Sequence, residues 1–236
     1  MTILLEVCID SIASANAAKQ GGADRLEVCG PLASGGTTPS FGLVEQCVAD
    51  LQMPVMMMIR PHDGGFHYDD DDIDTMLTDI EVAKSIGVQG VVFGCLTADR
   101  EIDRPRCQAL LDAAESLEST FHRAFDVTTD PLASFDLIQE LGFSRLLTSG
   151  QRATARDGAT LIGELVRRST GTSILAGAGV KPENVADLIA DTGVREVHAS
   201  ASVTHASAQQ NQFVSFGDHR RVCDAEIVKR LKAKIT

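Results

Sequence analysis

One triplet that could bind a metal ion or transfer a proton occurs twice in this sequence. Glu-Val-Cys ends an apolar run at Glu6 to Cys8 and another at Glu27 to Cys29. Alternate residues of a strand point to one face, so each glutamate shares a face with its cysteine. At matching positions on neighbouring strands, about 4.8 Å apart, Cys8 and Cys29 could share one ion. Two thiolates suit Cu(I), or Zn²⁺ completed by histidine and water, while two apolar thiols in a core are the alternative.

Other predicted strands also end in residues that bind or transfer charge. They are Arg60, His122 with Arg123 and the following Asp126, Thr148 with Ser149, and His198 with Ser200. Because guanidinium binds carboxylate or phosphate bidentately, Arg60 and Arg123 are expected to bind an anionic or carbonyl-bearing substrate. Catalytic candidates are His122 or a glutamate as general base, with Asp126 and His198 beside them. The alternative is structural, with Glu–Arg pairs capping a barrel core, and the opposite strand ends are expected to be apolar or small.

Small residues follow the last two predicted strands. Gly177 and Gly179 lie in the run Ala-Gly-Ala-Gly-Val, and Ser200 begins the run Ser-Ala-Ser. Backbone N–H groups in such loops can approach a phosphate, so these residues, with Thr148 and Ser149, are predicted to bind substrate. A tight turn into the next helix explains the glycines equally well.

The elements that would position these residues alternate along the chain. Strands are predicted at 3–8, 25–29, 54–60, 90–94, 120–123, 145–149, 173–176 and 196–199, and helices at 11–20, 40–51, 71–86, 104–116, 131–141, 159–168, 182–191 and 224–234. Eight units of about 30 residues predict an α/β protein, a TIM-type (β/α)8 barrel, as a single domain over 1–236. An open doubly wound sheet is the alternative, but no strand precedes a Gly-x-Gly-x-x-Gly turn. In a barrel, the strand ends above surround one mouth.

Composition limits the possible partners. With 21 basic and 33 acidic side chains the formal net charge is −12, which disfavours nucleic acid and anionic membranes. The sequence has no 18-residue apolar run and no basic start typical of a signal peptide, so a cytoplasmic protein is expected. Its six cysteines are then expected to stay reduced. Cys47, Cys107 and Cys223 fall in or beside helices as packing residues, whereas Cys95 could reach the mouth.

The sequence resembles the CutC family, described as copper homeostasis proteins. The matching segments are 5–8, 21–29, 35–40, 59–61, 120–126, 147–150 and 197–200, including Phe-His-Arg-Ala-Phe-Asp at 121–126. The resemblance implies a TIM-type barrel, a cytoplasmic homodimer or higher oligomer, and a role in copper handling. It also implies Cu(I) binding by the cysteines that match Cys8 and Cys29. The hypothesis is therefore a copper homeostasis protein that binds Cu(I) through these thiolates. The alternative is a barrel enzyme that acts on a small phosphorylated or carboxylated metabolite.

This sequence departs from the family pattern in two places. The family often has a second arginine after Arg-Pro, whereas here His62 follows Pro61, and His62 and His67 are expected to be exposed loop residues. The segment 202–222 is predicted to be a long loop, either a lid or a flexible connection.

Overall fold

The predicted apolar runs pair side by side as strands of one sheet. The computed structural model describes residues 2–206 and 219–236, and its first eight strands are β1 (Leu4–Ile9), β2 (Arg25–Val28), β3 (Val55–Met58), β4 (Gly90–Phe93), β5 (Glu118–Phe121), β6 (Arg145–Thr148), β7 (Ser173–Ala176) and β8 (Glu196–Ala199). They run parallel in chain order, and β8 pairs with β1 to close the barrel. The predicted α/β TIM-type barrel is thereby confirmed.

A helix follows each barrel strand. The helices are α1 (Ile12–Gly21), α2 (Phe41–Leu51), α3 (Asp70–Ile86), α4 (Arg104–Ala114), α5 (Pro131–Leu141), α6 (Ala159–Arg168), α7 (Val185–Thr192) and α8 (Ala225–Ile235). Local sequence explains where several begin and end. Asp69 and Asp72 form a reciprocal capping box at the start of α3, and Gly87 ends that helix in the left-handed conformation.

The alternation along β1 and β2 separates two environments. Leu5, Val7 and Val28 are fully buried in the apolar core between barrel and helices. Glu6 and Glu27, which alternate with them, point into the barrel, where Glu6 contacts side chains from β2 and β8. The expected face of the two Glu-Val-Cys triplets is therefore correct. No helix in the part of the chain that the structure describes is long and apolar enough to cross a membrane.

The strand starts are charged, which corrects the expectation that they are apolar or small. Arg145 contacts Glu118 and also Glu196, with 3.0 Å between its Nε and Glu196 Oε2. Arg25 lies 2.6 Å from Glu196 Oε2 through Nη2 and 2.5 Å from Glu6 Oε2 through Nε. We call this series the buried ion-pair chain: Glu118, Arg145, Glu196, Arg25 and Glu6. Glu118, at the outer end, keeps 35% of its side chain exposed, whereas the other four side chains are at most 14% exposed. Each of these four charges has an opposite partner, since an unpaired buried charge is costly.

Two predicted segments differ in the structure. Strand β5 ends at Phe121, and a 3₁₀ helix over Arg123–Val127 follows, because His122 Nδ1 accepts the Ala124 N–H and turns the chain. The expected loop 202–222 begins and ends in strands, β9 (Ser202–Ala206) and β10 (His219–Cys223), which pair antiparallel. Residues 207–218, the middle of that predicted loop, lie outside the described residues.

Candidate functional site

A cavity of about 720 Å³ occupies the C-terminal mouth of the barrel. It brings together most of the residues predicted from the strand ends: Cys8, Glu27, Arg60, His122, Arg123, Asp126, Gly179, His198 and Ser200. Five other predicted residues do not line it: Glu6, Cys29, Thr148, Ser149 and Gly177. The convergence on one mouth agrees with the expectation from the fold, and the contacts below separate the roles of these side chains.

Three buried side chains from three strands form a cluster that could hold a metal ion. One ligand atom each from Cys8, Glu27 and His198 lies within 4.8 Å of the others. The strand register places Cys8 directly opposite Glu27, and it places His198 opposite Glu6 on β1. Glu27 Oε1 is buried and has no hydrogen-bond partner among the described residues. A thiol, an imidazole and a carboxylate therefore surround one point of the mouth.

Cys8 and Cys29 do not lie at matching positions, and that expectation is wrong. Strands of a closed barrel are staggered, and here the stagger sets Cys8 against Glu27 and moves Cys29 one inward-facing position further along. The Cys29 thiol lies 3.4 Å from Glu27 Oε2 and packs with Met56 and Met58. Burial, together with the neighbouring Glu27 carboxylate, raises the pKa of Cys29 well above its usual value. Cys29 is therefore a thiol that donates to Glu27.

His198 is held by a carboxylate behind it. Its Nδ1 lies 2.7 Å from Glu6 Oε1, and its Nε2 lies 3.8 Å from Glu27 Oε2. Burial alone would lower the pKa of His198, but Cys8, Glu27 and Glu6 raise it well above its usual value. A carboxylate on one imidazole nitrogen, with the other nitrogen facing a cluster of donors, is the arrangement found around metal-binding histidines.

The pKa values of Glu6 and Glu27 are shifted in opposite directions. Burial raises the pKa of both, yet Arg25 and His198 lower the pKa of Glu6 to about 2. Burial, followed by repulsion from Glu6, leaves the pKa of Glu27 above its usual value in spite of His198. Glu6 is thus a fixed anion in the ion-pair chain, and Glu27 is the carboxylate that faces the cavity. Arg25 was not among the site residues predicted from the sequence, although it lies two residues before Glu27 and therefore on the same face of β2.

His122, which the sequence offered as a candidate general base, has its ring fixed by one described hydrogen bond, in which the ring accepts. Its Nδ1 accepts the backbone N–H of Ala124, which places the proton of the neutral ring on Nε2. Burial, with a contribution from the Arg60 charge, lowers the pKa of His122 to about 3. The ring therefore stays neutral at physiological pH. Its buried Nε2 has no hydrogen-bond partner among the described residues.

Arg60, predicted from the sequence to bind an anionic substrate, holds loops together through most of its guanidinium. Its Nη1 donates to the carbonyl oxygens of Ser34 at 3.1 Å and Gly36 at 2.8 Å, and its Nη2 donates to that of Gly64 at 2.7 Å. These bonds occupy most of the donors that a bidentate grip on an anion would need. The Nε atom of the guanidinium is buried and has no hydrogen-bond partner among the described residues.

Asp126 is better explained as the residue that fixes the turn after β6 than as an acid or base. Its Oδ1 accepts from Thr148 Oγ1 at 2.5 Å and from the Gln151 N–H at 3.2 Å. Its Oδ2 accepts from Ser149 Oγ at 2.9 Å and from Arg123 Nε at 2.8 Å. Thr148 and Ser149 are fully buried by these contacts. All four side chains are therefore committed to one another, and only Arg123 retains substantial exposure.

Gly177 has a packing role beneath His198. A Cβ at this position would lie 2.6 Å from Leu147 Cδ1 and 3.2 Å from His198 Cβ, so the side chains of Leu147 and His198 would have to shift. The absent side chain therefore lets the imidazole approach β7. His62 and His67 contact Asp72 and the Leu96 carbonyl and do not line the cavity.

Comparison with known proteins identifies relatives across almost the whole chain. A model of the CutC family matches residues 3–203. A CutC family protein of Photobacterium profundum is 44% identical over 228 residues, which cover 96% of this chain and 91% of that protein. A human protein named copper homeostasis protein cutC homolog is 42% identical over 217 residues, 91% of this chain and 80% of the human one.

Solved structures agree on the fold. The crystal structure of CutC from Streptococcus agalactiae has a TM-score of 0.79 at 33% identity, covering 84% of this chain and 98% of that one. Phosphoribosyl anthranilate isomerase from Thermococcus kodakaraensis has a TM-score of 0.62 at 12% identity, with 99% and 98% covered. The isomerase shares the barrel architecture, and at this identity the likeness concerns the fold alone.

Proposed function

The chain belongs to the CutC family, and from that premise we propose that it takes part in copper homeostasis by binding Cu(I) at the mouth of its barrel. The human relative and the Streptococcus agalactiae protein both carry copper homeostasis in their names. The observation that carries the proposal is the buried group of Cys8, Glu27 and His198, with ligand atoms all within 4.8 Å of one another.

The donors of this group fit a soft monovalent cation. Thiolate sulfur and imidazole nitrogen both bind copper, and Cu(I) accepts few ligands. Bonds of about 2.0–2.3 Å from each side allow Cys8 Sγ and His198 Nε2 to reach one ion after a small side-chain movement. Glu6, which holds Nδ1 at 2.7 Å, keeps Nε2 of His198 directed toward Cys8 and Glu27. Glu27 contributes negative charge beside the ion.

Cys29 has a secondary place in this proposal. Its thiol reaches the site only through Glu27, to which it donates at 3.4 Å, and it packs against Met56 and Met58 on the other side. To bind the same ion as Cys8 it must lose that hydrogen bond and rotate. The strand register thus supports a proposal in which Cys8 is a direct ligand and Cys29 an additional one.

Competition with a Cu(I)-specific chromophoric chelator, under anaerobic reducing conditions, tests this ranking. The wild-type protein should bind one equivalent of Cu(I). Cys8→Ser and His198→Gln should each weaken binding by about a hundredfold, and Cys29→Ser by less, because Cys29 lies outside the three-residue group. Cys47→Ser is the matched control, since Cys47 is a buried thiol packed in the core around α2.

Two results would contradict the copper proposal. Unchanged Cu(I) affinity in both Cys8→Ser and His198→Gln would exclude the three-residue group. Preference for Zn²⁺ over Cu(I) in a direct competition would assign the same ligands to a different ion. X-ray absorption of the loaded protein should show sulfur and nitrogen neighbours together, and this signal should lose its sulfur component in Cys8→Ser.

A further inference from the structure

The cavity is much larger than one ion requires. Its volume of about 720 Å³ falls in the range of small-molecule pockets, roughly 300–1,000 Å³. The cluster of Cys8, Glu27 and His198 occupies one side. Arg60, Phe66 and His122 lie on another part of the lining, and we call these three residues the donor side.

Two N–H groups of the donor side are buried without an acceptor in the part of the chain that the structure describes. Arg60 Nε and His122 Nε2 are both buried, and neither has a hydrogen-bond partner among the described residues. Arginine Nε can only donate, and His122 Nε2 carries the ring proton because Nδ1 accepts from Ala124. Unpaired buried donors are unfavourable, by an amount comparable to a lost hydrogen bond. Both residues line the cavity, so an acceptor oxygen bound there is the kind of partner that each donor lacks.

The donor side is fixed in place before any ligand arrives. The Arg60 guanidinium is held by three backbone carbonyl oxygens and lies 5.1 Å from the centre of the Phe66 ring. The Phe66 and His122 rings meet edge to face with centroids 4.9 Å apart. His122 also packs against the backbone of Gly94, where a Cβ would lie 2.8 Å from Nδ1. Fixed donors bind an oxygen without paying an ordering cost.

Cationic side chains lie at a third part of the same cavity. Lys181 and Arg221 both line it, and Arg221 donates to Ser202 Oγ at 3.1 Å and to Ser200 Oγ at 3.2 Å. Within residues 2–206 and 219–236, no carboxylate forms an ion pair with either side chain. Both positive charges can therefore attract an anionic group that enters the cavity.

We propose that the mouth also binds a small organic anion, with a carboxylate oxygen accepting from Arg60 Nε and His122 Nε2 and a phosphate beside Lys181 and Arg221. Phe66, Val127 and Leu147, which line the same cavity, would contact the carbon atoms between the two charged groups. This site uses none of the three copper-binding residues and is independent of the copper proposal.

Calorimetric titration of the metal-free protein with phosphoglycolate, glycolate and inorganic phosphate tests the site. Phosphoglycolate, which carries both groups, should bind more tightly than either fragment. His122→Leu should weaken phosphoglycolate binding by roughly tenfold or more, the effect of losing one hydrogen bond to a charged group, and should leave phosphate binding unchanged. His122→Gln, which retains a side-chain N–H, should weaken it less. The double variant Lys181→Met with Arg221→Met should instead lose affinity for phosphate.

Matched controls keep this outcome separate from the copper result. His62→Leu changes a histidine outside the cavity and should bind phosphoglycolate as the wild type does. Cu(I) affinity should persist in His122→Leu, which also shows that the variant is folded. If the wild-type protein binds phosphoglycolate but does not bind Cu(I), only the copper proposal is contradicted.

Nitrogen NMR of the wild-type imidazoles provides a test that needs no variant. His122 should show a protonated Nε2 whose resonance shifts when phosphoglycolate is added. No binding of any of the three probes to the wild type would overturn the proposed site. The same conclusion would follow from an unshifted His122 resonance at saturation, or from equal phosphoglycolate affinities in wild type and His122→Leu.

Discussion

Replacement of Arg25 by methionine breaks the buried ion-pair chain between Glu196 and Glu6. Arg25 is 2% exposed and contacts Glu6 at 2.5 Å and Glu196 at 2.6 Å. Methionine replaces the aliphatic part of the side chain but ends before the position of the guanidinium, so both contacts are lost. Glu6, itself 2% exposed, is then left with His198 as its remaining charged partner among the described residues. The substitution therefore removes the charge pairing while most of the packing of the aliphatic part is retained.

Two routes give a similar magnitude for this loss. Removing one partner of a buried ion pair costs about 3–5 kcal/mol. Separately, the pKa of Glu6 is lowered from about 4.5 to about 2, because Arg25 and His198 outweigh the effect of burial. At 1.36 kcal/mol per pKa unit, that shift corresponds to about 3 kcal/mol of stability above pH 4.5, to which Arg25 and His198 both contribute. For a chain of this size, a loss of 3–5 kcal/mol lowers Tm by about 6–20 °C.

Urea and thermal unfolding of wild type and Arg25→Met measure this effect. Because the folded pKa of Glu6 is depressed, its contribution is present above pH 4.5 and is lost as pH falls toward 2. The free energy of unfolding of the wild type should therefore fall over that window, and the variant should lack most of this slope. Arg168→Met, which breaks an exposed pair with Asp136, is the control and should cost less than about 1 kcal/mol. Equal, small losses in Arg25→Met and Arg168→Met would refute this account of the barrel interior.

Two further variants separate positioning from binding at the mouth. Gly177→Ala places a Cβ 2.6 Å from Leu147 Cδ1, so it should lower the free energy of unfolding in urea by about 1–3 kcal/mol and weaken Cu(I) binding by displacing His198. Gly171→Ala is the control, because a Cβ there has no described atom within 4 Å and should change neither quantity. An unchanged stability and Cu(I) affinity in Gly177→Ala would contradict the packing role. Asp126→Ala removes the acceptor of the Thr148 hydroxyl and of the backbone N–H groups of Ser149 and Gln151. The free energy of unfolding should therefore fall by at least about 2 kcal/mol, while Cu(I) affinity should be unchanged. A stable Asp126→Ala variant that no longer binds Cu(I) would instead place Asp126 in the binding site.

The sequence by itself determined the barrel and the face of each inward residue. Both follow from local periodicity, because alternate strand residues share a face and helices begin and end at local signals. Helices α5 (Pro131–Leu141) and α6 (Ala159–Arg168) begin and end at the predicted residues. The same alternation placed Glu6, Cys8 and Glu27 inside the barrel.

Only the tertiary structure decided which of these inward residues meet. The stagger between strands set Cys8 against Glu27 and moved it away from the position of Cys29. Arg25 and Glu196 are 171 residues apart in the chain, and His198 and Glu6 are 192 apart, yet each pair is in hydrogen-bond contact. The protonation of His122 likewise depends on a turn after β5 and on the nearby Arg60 charge. Local patterns carry no information about barrel stagger or about charges from distant strands, and these two factors fix the chemistry of the mouth.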